Sequence, residues 1–137
     1  MSHDADSVAF LHSTYEEALA LTREARDYLA EHEPAERALL SPEARLVTCC
    51  ESMRLTSRLT QVMAWLLVQR AVEAGEIERV EAARPGNRLG GQKVCAAAEP
   101  VADEVLPARL AVLLEKSLAL YTRVARLDAM LDSRKVH

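Results

Sequence analysis

Aromatic residues are scarce in this sequence: one Phe, three Tyr and one Trp make up 4 % of its 137 positions. A sheet core draws on aromatic and β-branched side chains, so a core here must be built from Leu, Val, Ala and Met, the composition of helix packed on helix. Long apolar runs are missing too. The longest, Val62 to Val68, falls far below the roughly 20 residues needed to cross a bilayer, which excludes a membrane span. Met1 to Leu11 carries His3, Asp4 and Asp6 and lacks the basic, apolar, then small pattern of a signal peptide, so a cytoplasmic protein is expected. No strong excess of one charge exists: the net charge of -4 arises from interspersed acids and bases, which argues against nucleic acid as a partner. Cysteine is limited to Cys49, Cys50 and Cys95, an odd, unspaced set that makes neither a disulfide framework nor a zinc motif. These thiols read as buried or incidental.

The length fits one domain, residues 1–137, with enough chain to bury a core. Three helical stretches are legible, at about 8–32, 42–75 and 106–132. In the first, Leu11, Thr14, Ala18, Leu21, Ala25 and Tyr28 step by three and four, the mark of a helix with one buried face. It is expected to end near His32, ahead of Pro34. The second opens on Ser41 as N-cap with Pro42 at the first helical position and Glu43 in the first turn. Nothing interrupts it before Gly75, giving a helix about 50 Å long. The third starts around Pro107 and carries Leu106, Leu110, Leu113, Ser117, Leu120, Val124, Leu127 and Leu131 at heptad spacing. Between the second and third lies a segment with two prolines and three glycines, read as a short helix near 76–84 and an irregular connection over about 85–105. The fold class expected is all-α, an antiparallel three-helix bundle.

The second helix has too much apolar surface for two neighbours. Leu46, Cys50, Met53, Leu55, Leu59, Val62, Met63, Leu66, Leu67, Val68 and Ala71 cover well over half of its circumference at about 100° per residue. Homodimerisation near this helix would cover the surplus. The alternative is that the connection after Arg84 folds back over it.

Groups that could do chemistry do not assemble in the sequence. None of His3, His12, His32 and His137 has a Glu three residues before it, so the carboxylate and imidazole pair of di-iron bundles is missing. The serines lack a strained Gly-x-Ser-x-Gly turn, and "NRLGG" at 87–91 lacks the Lys and Ser/Thr of a phosphate loop. No enzymatic activity, metal or cofactor is expected. Arg54 and Arg58 share a helix face, and the chain ends in "RKVH", but so few cations on an acidic protein supply little phosphate affinity.

One feature stands out on the second helix. Glu51, Arg54, Arg58, Gln61 and Gln69 form a narrow polar ridge, and Trp65 projects from its middle. Trp and Arg dominate binding hot spots, which makes Arg54, Arg58, Gln61, Trp65 and Gln69 a candidate protein-binding or dimer surface. The competing reading is an indole roofed by the long connection or stacked beneath Arg58.

The strings "ESMRLTSRLTQVMAWLLVQRAVEAGEI", "NRLG" and "LPARLAVLLEKSLALYTRVARLD" resemble the RcdA family of alphaproteobacteria, named for the regulation of CtrA degradation. The resemblance runs from about Cys50 to Asp128, with a looser match over the first helix. It implies a homodimeric three-helix bundle acting as a non-enzymatic adaptor in the cell cycle. Such an adaptor links the ClpXP protease, primed by the response-regulator-like protein CpdR, to cargo such as CtrA for regulated proteolysis, directly or through a further adaptor. No catalytic, metal or cofactor residues come with it. The departure is at the end of the chain: the family's adaptor has a flexible C-terminal tail, and here only a few residues follow the third helix. That points to a shorter relative with the connection at 84–105 as its mobile element. Other readings are a dimeric scaffold or partner-binding bundle of an unrelated pathway, and a regulatory DNA- or ligand-binding bundle.

Overall fold

In the computed structural model of the chain, residues 2–97 and 106–135 are described, with side chains over 5–97 and 106–131. His3, His137, the end of the basic tail and positions 98–105 of the connection therefore lie outside what can be said of contacts. Among the described residues every regular element is helical: α1 (Ser2–Glu31), α2 (Glu33–Ala38), α3 (Pro42–Glu73), α4 (Arg79–Ala82), a 3-10 turn at Pro85–Asn87, α5 (Gln92–Cys95) and α6 (Ala108–Lys135). No helix among them is long and apolar enough to cross a membrane.

The inward stripe of α1 is the one its spacing predicts, with Thr14, Ala18, Leu21, Ala25 and Tyr28 buried and Leu11 packed against the core. Pro34 does not open a loop after it. It sits in the first turn of α2, where a missing N–H costs nothing, and the sequence reading had left this helix out. The Tyr28 hydroxyl donates to Glu36 Oε2 at 2.5 Å and fastens α2 to α1; burial first, then Glu36, raises the phenol above its ordinary range.

Both ends of α3 follow the sequence closely. Ser41 Oγ accepts from the Ala44 N–H at 3.2 Å, satisfying one of the donors that a helix start leaves unpaired. At the other end Gly75 takes φ +76°, with Gly75 N–H donating to Val72 O and Glu76 N–H to Ala71 O. These are the paired bonds of a Schellman stop.

Helices α1, α3 and α6 pack on one another, but not all antiparallel. Ion pairs Lys116–Glu24 and Arg123–Glu17, and Arg109 over the Tyr28 ring, match rising numbers on α6 with falling ones on α1. Arg58 with Ser117 and Trp65 with Asp128 match rising with rising, so α3 and α6 run in the same direction. The expected antiparallel bundle is corrected in this respect. The physical reason is the connection: two neighbours pointing the same way cannot be joined by a tight turn, and the chain must travel back along α3, about 48 Å at 1.5 Å per residue.

The described part of that return carries the 3-10 turn and α5 where the sequence reading gave an irregular connection. Arg88 lies at the level of Trp65 and Asp128, Gly90 at the level of Gln61 and Tyr121, and Cys95 to Ala97 at the level of Arg58 and Leu114. The chain thus descends the seam between α3 and α6 rung by rung. Gly91 makes the bend into α5 at φ +71°, where an added Cβ would stand 2.9 Å from Cys95 Sγ. Gly75 has a similar φ and open space around it. Gly75→Ala is expected to cost about 1–2 kcal/mol, the left-handed penalty alone. Gly91→Ala carries that penalty plus the clash, and a larger loss in urea denaturation should distinguish the two.

Candidate functional site

The polar ridge on α3 is where the seam is fastened, and it faces inward. Arg58 is 2 % exposed and Trp65 3 %. Arg58 Nε donates to the Cys95 carbonyl at 2.7 Å and Nη2 to the Ala97 carbonyl at 2.6 Å, while Nη1 reaches the Leu114 carbonyl at 3.0 Å and Ser117 Oγ at 3.2 Å. All four acceptors are uncharged. A guanidinium presents donors in a planar fork, and here the fork joins two backbone segments far apart in sequence. Burial, with Arg54 second, lowers the proton affinity of Arg58 below that of a free guanidinium, although such a group stays charged at any ordinary pH.

Trp65 is held in a second rung. Its Nε1–H donates to Asp128 Oδ1 at 2.9 Å, and the same carboxylate accepts from Arg88 Nε at 2.7 Å, Arg88 Nη2 at 3.1 Å and the Leu89 N–H at 3.3 Å. Between these rungs, Gly90 uses both backbone groups: its N–H donates to Gln61 Oε1 at 3.0 Å and its carbonyl accepts from the Tyr121 hydroxyl at 2.7 Å. Arg54 is largely buried beside Glu51, with Nη1 3.3 Å from Oε2. The exposed ridge expected of Arg54, Arg58, Gln61 and Trp65 is thus corrected. Buried carbonyls and an N–H of the returning chain need partners; Arg58 and Gln61 supply them, while Trp65 bonds the Asp128 carboxylate and Arg54 pairs with Glu51. Of the alternatives left open, the roof over the indole is the connection.

Gln69 is the exception. Its Nε2, closed to solvent, has no hydrogen-bond partner.

With its polar side turned inward, α3 turns part of its apolar arc outward. Leu46, Met53 and Leu67 are 66 %, 70 % and 52 % exposed, and they are spaced at multiples of seven, so they share a side of the helix. Between Leu46 and Leu67 the fully exposed positions are Met53, Thr56, Ser57, Thr60 and Ala64, none of them charged. The hydroxyls of Thr56 and Thr60 fold back onto the carbonyls of Ser52 and Thr56 at 3.0 and 2.8 Å. Their methyl groups are then what the face offers to a neighbour. Sequence reasoning placed Leu46, Met53 and Leu67 in one broad apolar arc shared between core and dimer seam; the signal that could have separated them from the core residues is the seven-residue spacing of uncharged positions.

No group of three or more His, Cys, Asp or Glu able to hold a metal ion occurs among the described residues. Cys95 is buried, and burial raises its thiol above the ordinary value against the opposing pull of Arg58. Cys49 accepts a hydrogen bond from Arg37 Nη1 at 3.1 Å at the edge of a shallow depression.

A sequence family described as "Protein of unknown function (DUF1465)" matches residues 2–137. No curated protein matches the chain. Among solved structures, the crystal structure of RcdA from Caulobacter crescentus CB15 is similar, with 40 % identity, coverage of 88 % of this chain and 89 % of that one, and a TM-score of 0.73.

Two outcomes follow from the seam. Arg58→Met keeps side-chain length but leaves the Cys95 and Ala97 carbonyls without a donor, at about 1–3 kcal/mol for each orphaned group. In a Cys49→Ser, Cys50→Ser background, the Cys95 thiol should then react with a maleimide far below the denaturation midpoint, whereas with Arg58 present it stays protected. Tyr121 is the second case. Burial first, then Cys95 and Asp128, pushes its phenol up to about 12 from an ordinary value of about 10. The neutral donor to Gly90 therefore stabilises the fold fully below pH 10, and that contribution is lost as pH rises toward 12. Tyr121→Phe should cost about 1 kcal/mol near neutrality, and its deficit against the parent should shrink over that alkaline window in denaturation curves.

Proposed function

Because the chain belongs to the DUF1465 family and is an RcdA-like protein, we propose that it is a non-enzymatic protease adaptor working in the cytoplasm. In this reading it links a ClpXP protease primed by a CpdR-like response regulator to a cell-cycle regulator of the CtrA type, directly or through a further adaptor. The observation that carries the reading is the 40 % identity to RcdA over nearly the whole of both chains. The interior agrees with such a role: its buried charged groups on the seam are engaged in holding the chain to itself, with Arg58 and Asp128 committed to backbone and side-chain partners. What is left to act is surface.

We further infer that the adaptor is a homodimer joined through the outward face of α3. A helix side that runs for about 31 Å without an exposed charge, from Leu46 to Leu67, is more apolar than a solvated helix face needs to be. A two-fold pairing of this face with its copy would cover Leu46, Met53 and Leu67 together. The sequence reading also set the surplus apolar arc of this helix near the dimer seam; the other candidate surface it offered, the ridge around Trp65, is buried within the chain.

Adaptor action is tested by retention of the protein on immobilised ClpXP in the presence, but not the absence, of the CpdR-like primer, together with slowed CtrA turnover after deletion of its gene. Unchanged turnover with no primed retention would remove the reading. Dimerisation is tested separately: Met53→Glu and Thr60→Glu should halve the solution mass measured by light scattering without loss of helicity, because neither residue is part of the core. A parent chain that is already monomeric at micromolar concentration would sink the dimer.

A further inference from the structure

A groove opens at the end of the molecule where α1 begins and α3 and α6 finish. Its volume is about 630 Å³, within the range of roughly 300–1,000 Å³ typical of binding clefts. Val8 and Leu11 of α1, Val72 of α3, Val80 and Ala83 around α4, and Leu131 of α6 give it an apolar lining. Val8 and Val80 remain 46 % and 72 % exposed, so the lining is not closed by the chain itself. Gln69 is part of the same wall, and its Nε2 is shut off from water without an acceptor. An amide donor in that condition is less stable than one that is paired, and the shortfall is removed when something entering the groove brings an acceptor.

The rim has a sign. Glu73 and Arg79 line the groove, and Glu76 and Glu78 are exposed in the turn between them. Arg84 is engaged with Glu81 at 3.3 Å, so within residues 73–84 the remaining charges are Glu73, Glu76 and Glu78 against one cation, Arg79. Asp6, exposed beside Ser7 and Val8, adds to the acidic side. We propose that this groove docks a basic amphipathic segment of a partner protein. Its apolar side chains fill the cavity between α1, α4 and α6, one of its carbonyl or carboxamide oxygens accepts from Gln69 Nε2, and its Lys or Arg residues lie over Glu73, Glu76 and Glu78. This is the helix-in-groove mode of recognition with an acidic rim selecting the charge. It rests on the groove's own geometry and charge and does not need the adaptor reading or the α3 dimer.

The test uses the full chain with methyl-labelled Val and Leu, titrated with two synthetic amphipathic peptides that share their leucines and differ only in carrying Lys or Glu on the polar face. The Lys peptide is expected to shift the methyls of Val8, Leu11, Val72, Val80 and Leu131 first and most, and to bind at least about tenfold more tightly than the Glu peptide at low salt. Val80→Asp and the pair Glu73→Lys, Glu76→Lys should each reverse that preference or weaken the Lys peptide by about tenfold. Gln69→Leu separates recognition from folding: it removes the unpartnered donor, so the denaturation midpoint should hold or rise while peptide affinity falls. Equal binding of the two peptides, shifts centred on other methyls, or affinity untouched by all three variants would overturn the proposal. Any of those results, with primed retention on the protease intact, would leave the adaptor reading standing.

Discussion

A single buried cation holds the arrangement together. Arg58 is the point at which α3, α6 and the chain that returns between them are joined, because its fork donates to carbonyls of the return at Cys95 and Ala97 and to Leu114 and Ser117 on α6. Helices packed side by side in the same direction demand a long return, and a long return demands partners for its backbone. The rungs at Gln61, Trp65 and Tyr121 extend the same solution along the seam. A hydrophobic seam of the usual kind would have left those groups of the returning chain orphaned.

This accounts for what could be read in the sequence and what could not. The stripe on α1, the Ser41 and Pro42 start and the Gly75 stop of α3, and the leucine repeat of α6 are local patterns, set by residues within a turn or two of one another, and the structure follows them. The direction of α6 relative to α1 is not local, and neither is the register of the return. The helical wheel of α3 grouped its residues correctly but assigned the wrong side to water, since polarity normally marks the solvent face. Here Arg58 is polar for the sake of a backbone segment that arrives 37 to 39 residues later in the chain, at Cys95 and Ala97, and Trp65 for a carboxylate on α6, Asp128, 63 positions away. Only the alternative of an indole roofed by the connection anticipated this.

The inversion also decides where a partner can touch the molecule. Once the polar side of α3 is enclosed, the outward face is methyl groups and thioether, from Leu46 through Met53 and the back-bonded Thr56 and Thr60 to Leu67. Gln69, one turn past the last rung, belongs to a different environment, the groove at the end of the bundle. One helix thus serves an interior seam, an uncharged outer face and one wall of a cleft, each drawn from a different side or end of the same 32 residues. Three separable surfaces thus fit on a chain of 137 residues.

The seam has a consequence in time as well as in space. Arg58 cannot complete its hydrogen bonds until residues 95–97 and 114–117 have both arrived, and Trp65 waits for Asp128, 63 positions away. During synthesis α1, α2 and α3 can associate through near neighbours, but their common face toward α6 stays open with a charged group in it. Folding rates fall as stabilising contacts become more distant in sequence, so slower assembly is expected of this seam than of an up-and-down bundle that can grow hairpin by hairpin.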